Sequence, residues 1–286
     1  MQVLAQNRDY ISTLATEAHE IESTYRLRYQ VFYEELKEGN YSEDGKETDP
    51  FDQFCEFILL KEKKTDEIVG LYRILPYNLV DPKIGYYTGI EFDLSNIVNN
   101  DTYNKSIAEL GRLAIKKEHR GGTNLLLLWV GMVNYCKQNN IRYLLGCGSL
   151  PATMTKEEVE VIYFQLEDEG VIMQEPVITP RSPSEIRKMS EHLLGKKPNE
   201  TLKDIDDEAI NLKRPDDLPD IPKKRLPSLI RRYQAAGANI IGKPAFDAYD
   251  FGTYDFVIMV DLKSFKAQMT YFYIRVRLFL NRLNLM

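Results

Sequence analysis

Glu109-Leu110-Gly111-Arg112-Leu113-Ala114-Ile115-Lys116, then His119-Arg120-Gly121-Gly122-Thr123-Asn124, then the apolar run Leu125 to Val133: this stretch decides the fold. The first eight residues read as a strand, and Asn124 to Gln138 as a helix. Ile141 to Cys147 is a short apolar run bounded by turn residues, which predicts a buried strand. Strand, glycine turn, helix and strand in that order make a right-handed crossover unit. Outward from it, Ile21, Tyr25, Arg28, Phe32 and Leu36 are spaced for a helix over roughly 18–37, preceded by a strand over 9–14. Phe54 to Lys61 and Ile68 to Leu75 flank a polar turn and read as a hairpin. Asp44 to Asp52 is acidic and turn-rich, and 76–105 reads as a loop.

Beyond Ser149 the composition changes. Thr155-Lys156-Glu157-Glu158 is a capping box that opens a helix, and Ser182-Pro183-Ser184-Glu185 opens another that stops at Gly195. Eight of the thirteen prolines fall between Pro176 and Pro227, so 153–222 is expected to be a Pro- and charge-rich insertion with short helices. A helix is predicted over Leu226 to Ala236, and an antiparallel pair over Asn239 to Ala245 and Tyr254 to Asp261. The expected division is a core of 1–152 and 223–262, that insertion, and a basic tail, 263–286. The predicted class is α/β (α+β), a mixed central sheet flanked by helices.

Net charge is −6 over 286 residues, which argues against a nucleic-acid surface. Cys55, Cys136 and Cys147 make an odd number without a CxxC spacing, so neither a disulfide framework nor a metal is expected, and a reducing compartment is. Arg8, Asp9, Glu17 and Glu20 argue against an apolar leader, and the longest apolar run is half of a membrane span. A cytoplasmic protein is expected, held to the inner membrane face by its tail. That tail carries Lys263, Lys266, Arg275, Arg277 and Arg282 among aromatic and aliphatic residues, with no acid, as an interfacial helix would.

Several charges sit among apolar neighbours. Arg28 is on the inner face of the first predicted helix, Arg73 lies inside Val69 to Leu75, and Glu109 and Arg112 are the charges of Ile107 to Ile115. Ions in strand interiors are costly unless paired, so some of these should meet in space, with Asp49 and Asp52 from the acidic turn as partners. A structural ion-pair network and a catalytic cluster both satisfy that argument. The turn 120–124 presents backbone amides at a helix N-terminus, which suits one phosphate, although Gly-Gly before a helix is often a plain turn.

In order, Tyr25-Arg26-Leu27-Arg28-Tyr29-Gln30-Val31-Phe32, Asp49-Pro50-Phe51-Asp52, Gly70-Leu71-Tyr72-Arg73, Glu91-Phe92-Asp93-Leu94, Glu109-Leu110-Gly111-Arg112 and Arg120-Gly121-Gly122 carry a resemblance. The series resembles the acyl-carrier-protein-dependent N-acyltransferases that make lyso-ornithine lipid and related N-acyl amino acids. Some of these bear the name hemolysin, and they are related to acyl-homoserine lactone synthases. Leu226 to Asp261, with Tyr233, Gly237, Gly242, Pro244, Asp247, Gly252 and Asp255, resembles their C-terminal segment. The resemblance implies a fold of the GCN5-related N-acetyltransferase (GNAT) type. It also implies transfer of a long-chain, in some relatives 3-hydroxylated, acyl group from acyl-carrier protein to the α-amine of an amino acid such as ornithine or glycine. Many lipid-forming relatives carry His where this chain has Phe57.

On that footing Glu109 is expected to hold the ammonium and relay its proton, and Arg73 and Arg112 to fix the amino acid's carboxylate. Arg28, Asp49 and Asp52 are expected to bind substrate, the two aspartates orienting Arg28 or binding the amine, and Phe32 and Phe92 to line the acyl channel. Arg120, Gly121, Gly122, Thr123 and Asn124 would take the phosphopantetheine phosphate. Lys116 and Lys117, with Arg120, would dock the acidic carrier protein. No permanently bound cofactor is expected, since acyl-phosphopantetheine is the donor substrate. An acyl-homoserine-lactone-synthase-like enzyme, an acetyl-CoA-dependent acetyltransferase and a non-catalytic acyl-binding, membrane-associated protein are the alternatives.

Overall fold

The computed structural model describes residues 2–39, 41–121, 123–195, 206–247 and 251–282. The chain divides into two compact units: Met1–Asp81, Ser106–Leu144 and Asp261–Met286, and Pro82–Lys105 with Leu145–Val260. This division cuts across the one expected from composition, because 153–222 lies in the same unit as 223–260.

The first unit is an antiparallel sheet in the order β1 (Gln2–Gln6), β2 (Tyr10–Leu14), β3 (Glu56–Glu62), β4 (Ile68–Pro76), β6 (Ile107–Ile115). β3 and β4 pair in the predicted hairpin, Leu59 opposite Leu71. Both are buried along nearly their whole length, so they read as continuous apolar runs rather than alternating ones. Helix α1 (Ala18–Tyr29) is shorter than predicted. From Gln30 to Leu36 the chain widens into π-helical turns, closed by Lys37 at φ +61°. Leu27 and Val31 from this segment bury against Phe57, Leu59, Leu71 and Ala114. Helix α3 (Asn124–Gln138) forms where predicted. It approaches β2 so closely at Gly131 that a Cβ there would lie 2.2 Å from the Ser12 hydroxyl.

Helix α7 (Phe265–Arg282) belongs to this unit and lies on α3. Ala267, Tyr271, Ile274 and Leu278 are buried, Tyr271 donates to Asn134 at 2.6 Å, and the Lys137 ammonium sits 3.7 Å from the Tyr271 ring centroid. One face of the tail is therefore core.

In the second unit the strand order is β7 (Tyr143–Ser149, whose first two residues fall in the first unit), β11 (Tyr254–Asp261), β10 (Ala238–Phe246), β8 (Ile172–Met173). β10 pairs antiparallel with β11 and parallel with β8, which makes this sheet mixed. β5 (Phe92–Asp93) and β9 (Thr179–Pro180) form a small separate pair, and a short helix α2 (Ser95–Val98) follows β5. The two capping boxes open α4 (Lys156–Asp168) and α5 (Pro183–Leu194), and Gly195 ends α5 at φ +61°. Val159, Ile162, Tyr163 and Ile186 are buried, as is Ile230 on α6 (Ser228–Ala235), so the Pro-rich segment carries apolar helix faces that sit in this unit's core.

Candidate active site

The charges that the strands could not bury alone are brought together in the first unit. Arg28 lies on α1, Arg73 on β4 and Arg112 on β6, while Asp49 and Asp52 come from the turn before β3. A sixth member, Glu47, joins them from the same turn. Arg28 Nε donates to Glu47 Oε2 and its Nη1 to Asp52 Oδ1 at 2.7 Å. Arg73 Nη1 donates to Asp49 Oδ2 at 2.6 Å and to Asp52 Oδ1 at 2.8 Å. Arg112 donates to Glu47 at 3.3 Å and to Asp49 at 3.0 Å. The turn is held by its own carboxylates: Asp52 accepts from the Asp49 amide and Asp49 from the Phe51 amide, both at 2.9 Å. In these pairs three guanidiniums face three carboxylates.

Burial alone would raise the carboxyl of Glu47, but Arg28 and Arg112 overcome it and hold it at about 2. Burial also opposes ionisation of Asp49, and Arg73, Arg112 and Arg28 pull its carboxyl well below the ordinary range. The same acids push the Arg28 and Arg73 guanidiniums above their usual value against the pull of burial. Arg28 is 0% exposed, and its guanidinium carbon lies 5.5 Å from the Tyr25 ring centroid.

What this network holds is a break in the sheet. Between Leu71 and Arg73 on β4, the partners on β6 run from Ala114 to Gly111, so β6 carries one extra residue. Arg112 lies in that interval and adopts φ +52°, a conformation that L residues other than Asn and Asp rarely take. A bulge leaves its extra residue outside the ladder and re-aims the backbone beside it. Such strain persists only where surrounding contacts over-determine it, and here the Arg112 side chain is tied to Glu47 and Asp49. Glu109, three residues before the bulge, is 5% exposed, opposite Leu75. Its charge and those of Asp52 and Asp49 add to burial in pushing the Cys55 thiol up to about 12, against Arg73.

The other expected residues are placed as follows. Phe32 lies in the π-helical turns, packed against the Leu27–Phe57 core, and Phe57 itself is buried there, edge-on to Tyr25. Phe92 is fully buried in the second unit. Arg120 is engaged internally: its Nη2 donates to Glu35 at 2.7 Å and its Nε to the Ile115 carbonyl at 2.7 Å. Lys116 pairs with Glu67, whereas Lys117 is exposed. Gly122 lies outside the described residues. Thr123 precedes α3 without a side-chain cap on its first-turn amides, and its hydroxyl accepts from Asn7 at 3.1 Å. Asn124 folds back onto the His119 carbonyl at 3.0 Å, which fixes the turn.

A family model of the acetyltransferase (GNAT) domain matches residues 27–130, the stretch that holds the network and the bulge. Over 287 residues, 95% of this chain and 86% of the relative, the sequence is 26% identical to the L-ornithine N(alpha)-acyltransferase of Rhizobium meliloti (strain 1021). It is 27% identical over 278 residues to the L-ornithine N(alpha)-acyltransferase of Rhodobacter capsulatus, covering 93% of this chain and 95% of that one. The protein is an acyltransferase of the GNAT fold. Among solved structures it is similar to an N-acyl amino acid synthase from uncultured soil microbes, at 10% identity and a TM-score of 0.49, over 91% of this chain and 97% of that one. On those two sequence relatives the resemblance read from the six motifs stands, and this acyltransferase is of the N-acylating kind.

Proposed function

We propose that this N-acyltransferase moves a long-chain fatty-acyl group from the phosphopantetheine thioester of acyl-carrier protein to the α-amine of an amino acid, ornithine being the first candidate. The observation that carries the reading is the similarity to two ornithine N(alpha)-acyltransferases along nearly the whole of each chain. In the reaction the ammonium gives one proton to solvent, the freed amine nitrogen bonds to the thioester carbonyl carbon, the carbon–sulfur bond breaks, and the second proton lost by that nitrogen ends on the pantetheine sulfur. Freeing an amine of pKa near 9–10 at pH 7 costs about 3–4 kcal/mol, so a base must take that proton, directly or through water. Glu109 is that group in this proposal, relaying the proton through water. In this proposal backbone N–H groups beside the Arg112 bulge serve the oxygen of the thioester as it gains charge. Arg28, Arg73 and Arg112, paired with Glu47, Asp49 and Asp52, act as positioning residues that keep the bulge in place. This differs from a grip on the substrate carboxylate: Arg73 and Arg112 hold internal carboxylates at 2.6 to 3.3 Å.

The uncapped N-terminus of α3 receives the donor phosphate in this reading, and Lys117, exposed on the adjoining turn, meets the acidic carrier protein. The tail meets an anionic membrane. Met269, Phe272, Tyr273, Val276 and Phe279 form an exposed stripe opposite the face buried on α3, and Phe272, Tyr273 and Phe279 are each at least 60% exposed. Lys266 and Arg275 flank that stripe, which is the arrangement of an interfacial helix. No helix among the described residues is long and apolar enough to cross a membrane. The test is acyl transfer by the purified chain from acyl-carrier protein to a panel of amino acids, read by thiol release and product mass. Thiol release that no amino acid stimulates would overturn the reading.

A further inference from the structure

Helix α3 is tied to the β1–β2 hairpin along its length. At its C-terminal end Gln2 Nε2 donates to Gln138 Oε1 at 2.6 Å, and one turn earlier Asn134 Nδ2 donates to the Leu4 carbonyl at 2.7 Å. In the middle Gly131 passes against Ser12. At the N-terminal end the partners come from the turn between the two strands. Asn7 Nδ2 donates to Thr123 Oγ1 at 3.1 Å, and Tyr10 Oη lies 3.0 Å from His119 Nδ1, the two rings edge to face.

Asn7 is 3% exposed, and each of its polar atoms is engaged. Its Oδ1 accepts from the Asp9 and Tyr10 amides at 3.0 and 2.7 Å. Its own amide donates to the Tyr10 carbonyl at 3.0 Å, and its carbonyl accepts from Lys63 Nζ at 2.7 Å. Aspartate closes such a turn equally well through a carboxylate oxygen. What asparagine adds is a donor, and that donor goes to Thr123.

The stretch held by these contacts reads His119-Arg120-Gly121-Gly122-Thr123, and glycine loses more freedom on ordering than any other residue. Gly121 adopts φ +130°. The two anchors fall on either side of the glycine pair in sequence, His119 before it and Thr123 after it. A binding loop ordered beforehand spares its ligand the entropy of ordering it. Anchors of this kind strengthen binding at the turn and leave the chemical step alone.

We propose that Asn7 and Tyr10 are positioning residues for the thioester donor, holding the 119–123 turn in the shape that meets the donor's phosphate. The assignment rests on the N-acyltransferase reading and its placement of the donor at α3. It adds two residues that lie outside the stretch matched by the acetyltransferase family, 27–130.

Transfer to ornithine is measured with decanoyl-loaded acyl-carrier protein and with decanoyl-pantetheine, which lacks the phosphate. Asn7→Ala removes the donor to Thr123. Tyr10→Phe removes a hydroxyl alone and covers the case in which the first variant does not fold. Gln2→Ala breaks the contact at the far end of α3 and is the control. Each of the first two should raise KM for the carrier-bound donor about three- to tenfold, the range that one hydrogen bond commands. Their kcat, their KM for ornithine and their KM for decanoyl-pantetheine should stay within about twofold of the parent, and Gln2→Ala should match the parent throughout. Hydrogen exchange needs no turnover: a peptide spanning 117–127 should exchange faster in both variants and not in the control. Unchanged exchange in a folded variant overturns the proposal, as does an unchanged KM for the carrier-bound donor. So does an equal rise in KM for decanoyl-pantetheine, or a loss confined to kcat. If the parent transfers from neither donor, the enzymatic reading falls and the positioning role with it. Normal transfer by the parent, with KM unmoved in the variants, removes the positioning role alone.

Discussion

Glu47→Gln tests whether the ionic network is what holds the first unit together at the bulge. The carboxyl of Glu47 falls from an ordinary 4.5 to about 2 on folding, because Arg28 and Arg112 outweigh its burial. At about 1.4 kcal/mol per pH unit, that difference contributes about 3 kcal/mol of stability at neutral pH. Removing one partner of a buried pair gives a similar figure by a separate route, roughly 3–5 kcal/mol. A folded-state value below the unfolded one stabilises above the unfolded value and is lost as pH falls toward the folded value. The loss therefore runs from about pH 5 down to about 2, and by pH 3 the Glu47 contribution is roughly half its neutral value. The glutamine variant should be about 3 kcal/mol less stable at pH 7, and the gap should shrink by about half at pH 3. Urea unfolding followed by Trp129 fluorescence reads the right unit, since this is the chain's one tryptophan and it is buried on α3. A gap under about 1 kcal/mol at pH 7, or one that does not narrow in acid, would refute the reasoning.

Glu109→Gln should melt with the parent and lose 10²–10⁴-fold in kcat, the usual worth of a positioned base; turnover within about twofold of the parent would remove Glu109 from the chemistry. Lys117→Glu should raise KM for the carrier-bound donor several-fold and leave a short acyl-pantetheine donor unaffected, with the difference fading in high salt. Equal loss with both donors would place the damage in the site. Phe272→Glu with Phe279→Glu should abolish flotation with anionic vesicles and leave the melting temperature unchanged, because both rings are exposed. If the parent itself stays with the soluble fraction, the membrane proposal falls. Cutting α7 away is the poorer experiment, since Tyr271 and Ile274 are buried in the first unit.

Much of the fold was legible because the local signals agree. The β3–β4 hairpin, α3 and the two capping boxes have their pattern and their boundaries written in neighbouring residues. Legibility of the site had a different origin. Arg28, Arg73 and Arg112 stood out because a charge in an apolar run demands a partner, and Asp49 and Asp52 were close at hand to supply it. Glu47 was missed for the opposite reason. It sits among Glu43, Asp44, Asp49 and Asp52, where acids are unremarkable, and only the folded turn separates the buried ones from those left in water. The break of α1 into wider turns at Gln30 was also invisible, since Phe32 and Leu36 continue the helical spacing unchanged.

The bulge could not be read at all, and it explains why the network is ionic rather than apolar. A hydrophobic replacement of buried ion pairs is often neutral or stabilising, so stability alone does not account for six buried charges. Apolar side chains can fill the space beside β6, but they cannot direct a residue to φ +52°. Arg112 can be held there because its guanidinium forks to two carboxylates on one turn, and that turn is itself fixed by Asp49 and Asp52 accepting backbone amides. Replacing all six charges with well-packed apolar residues should therefore keep a stable first unit and lose the bulge. If that variant kept full acyl transfer, the link from network to bulge to catalysis would be broken.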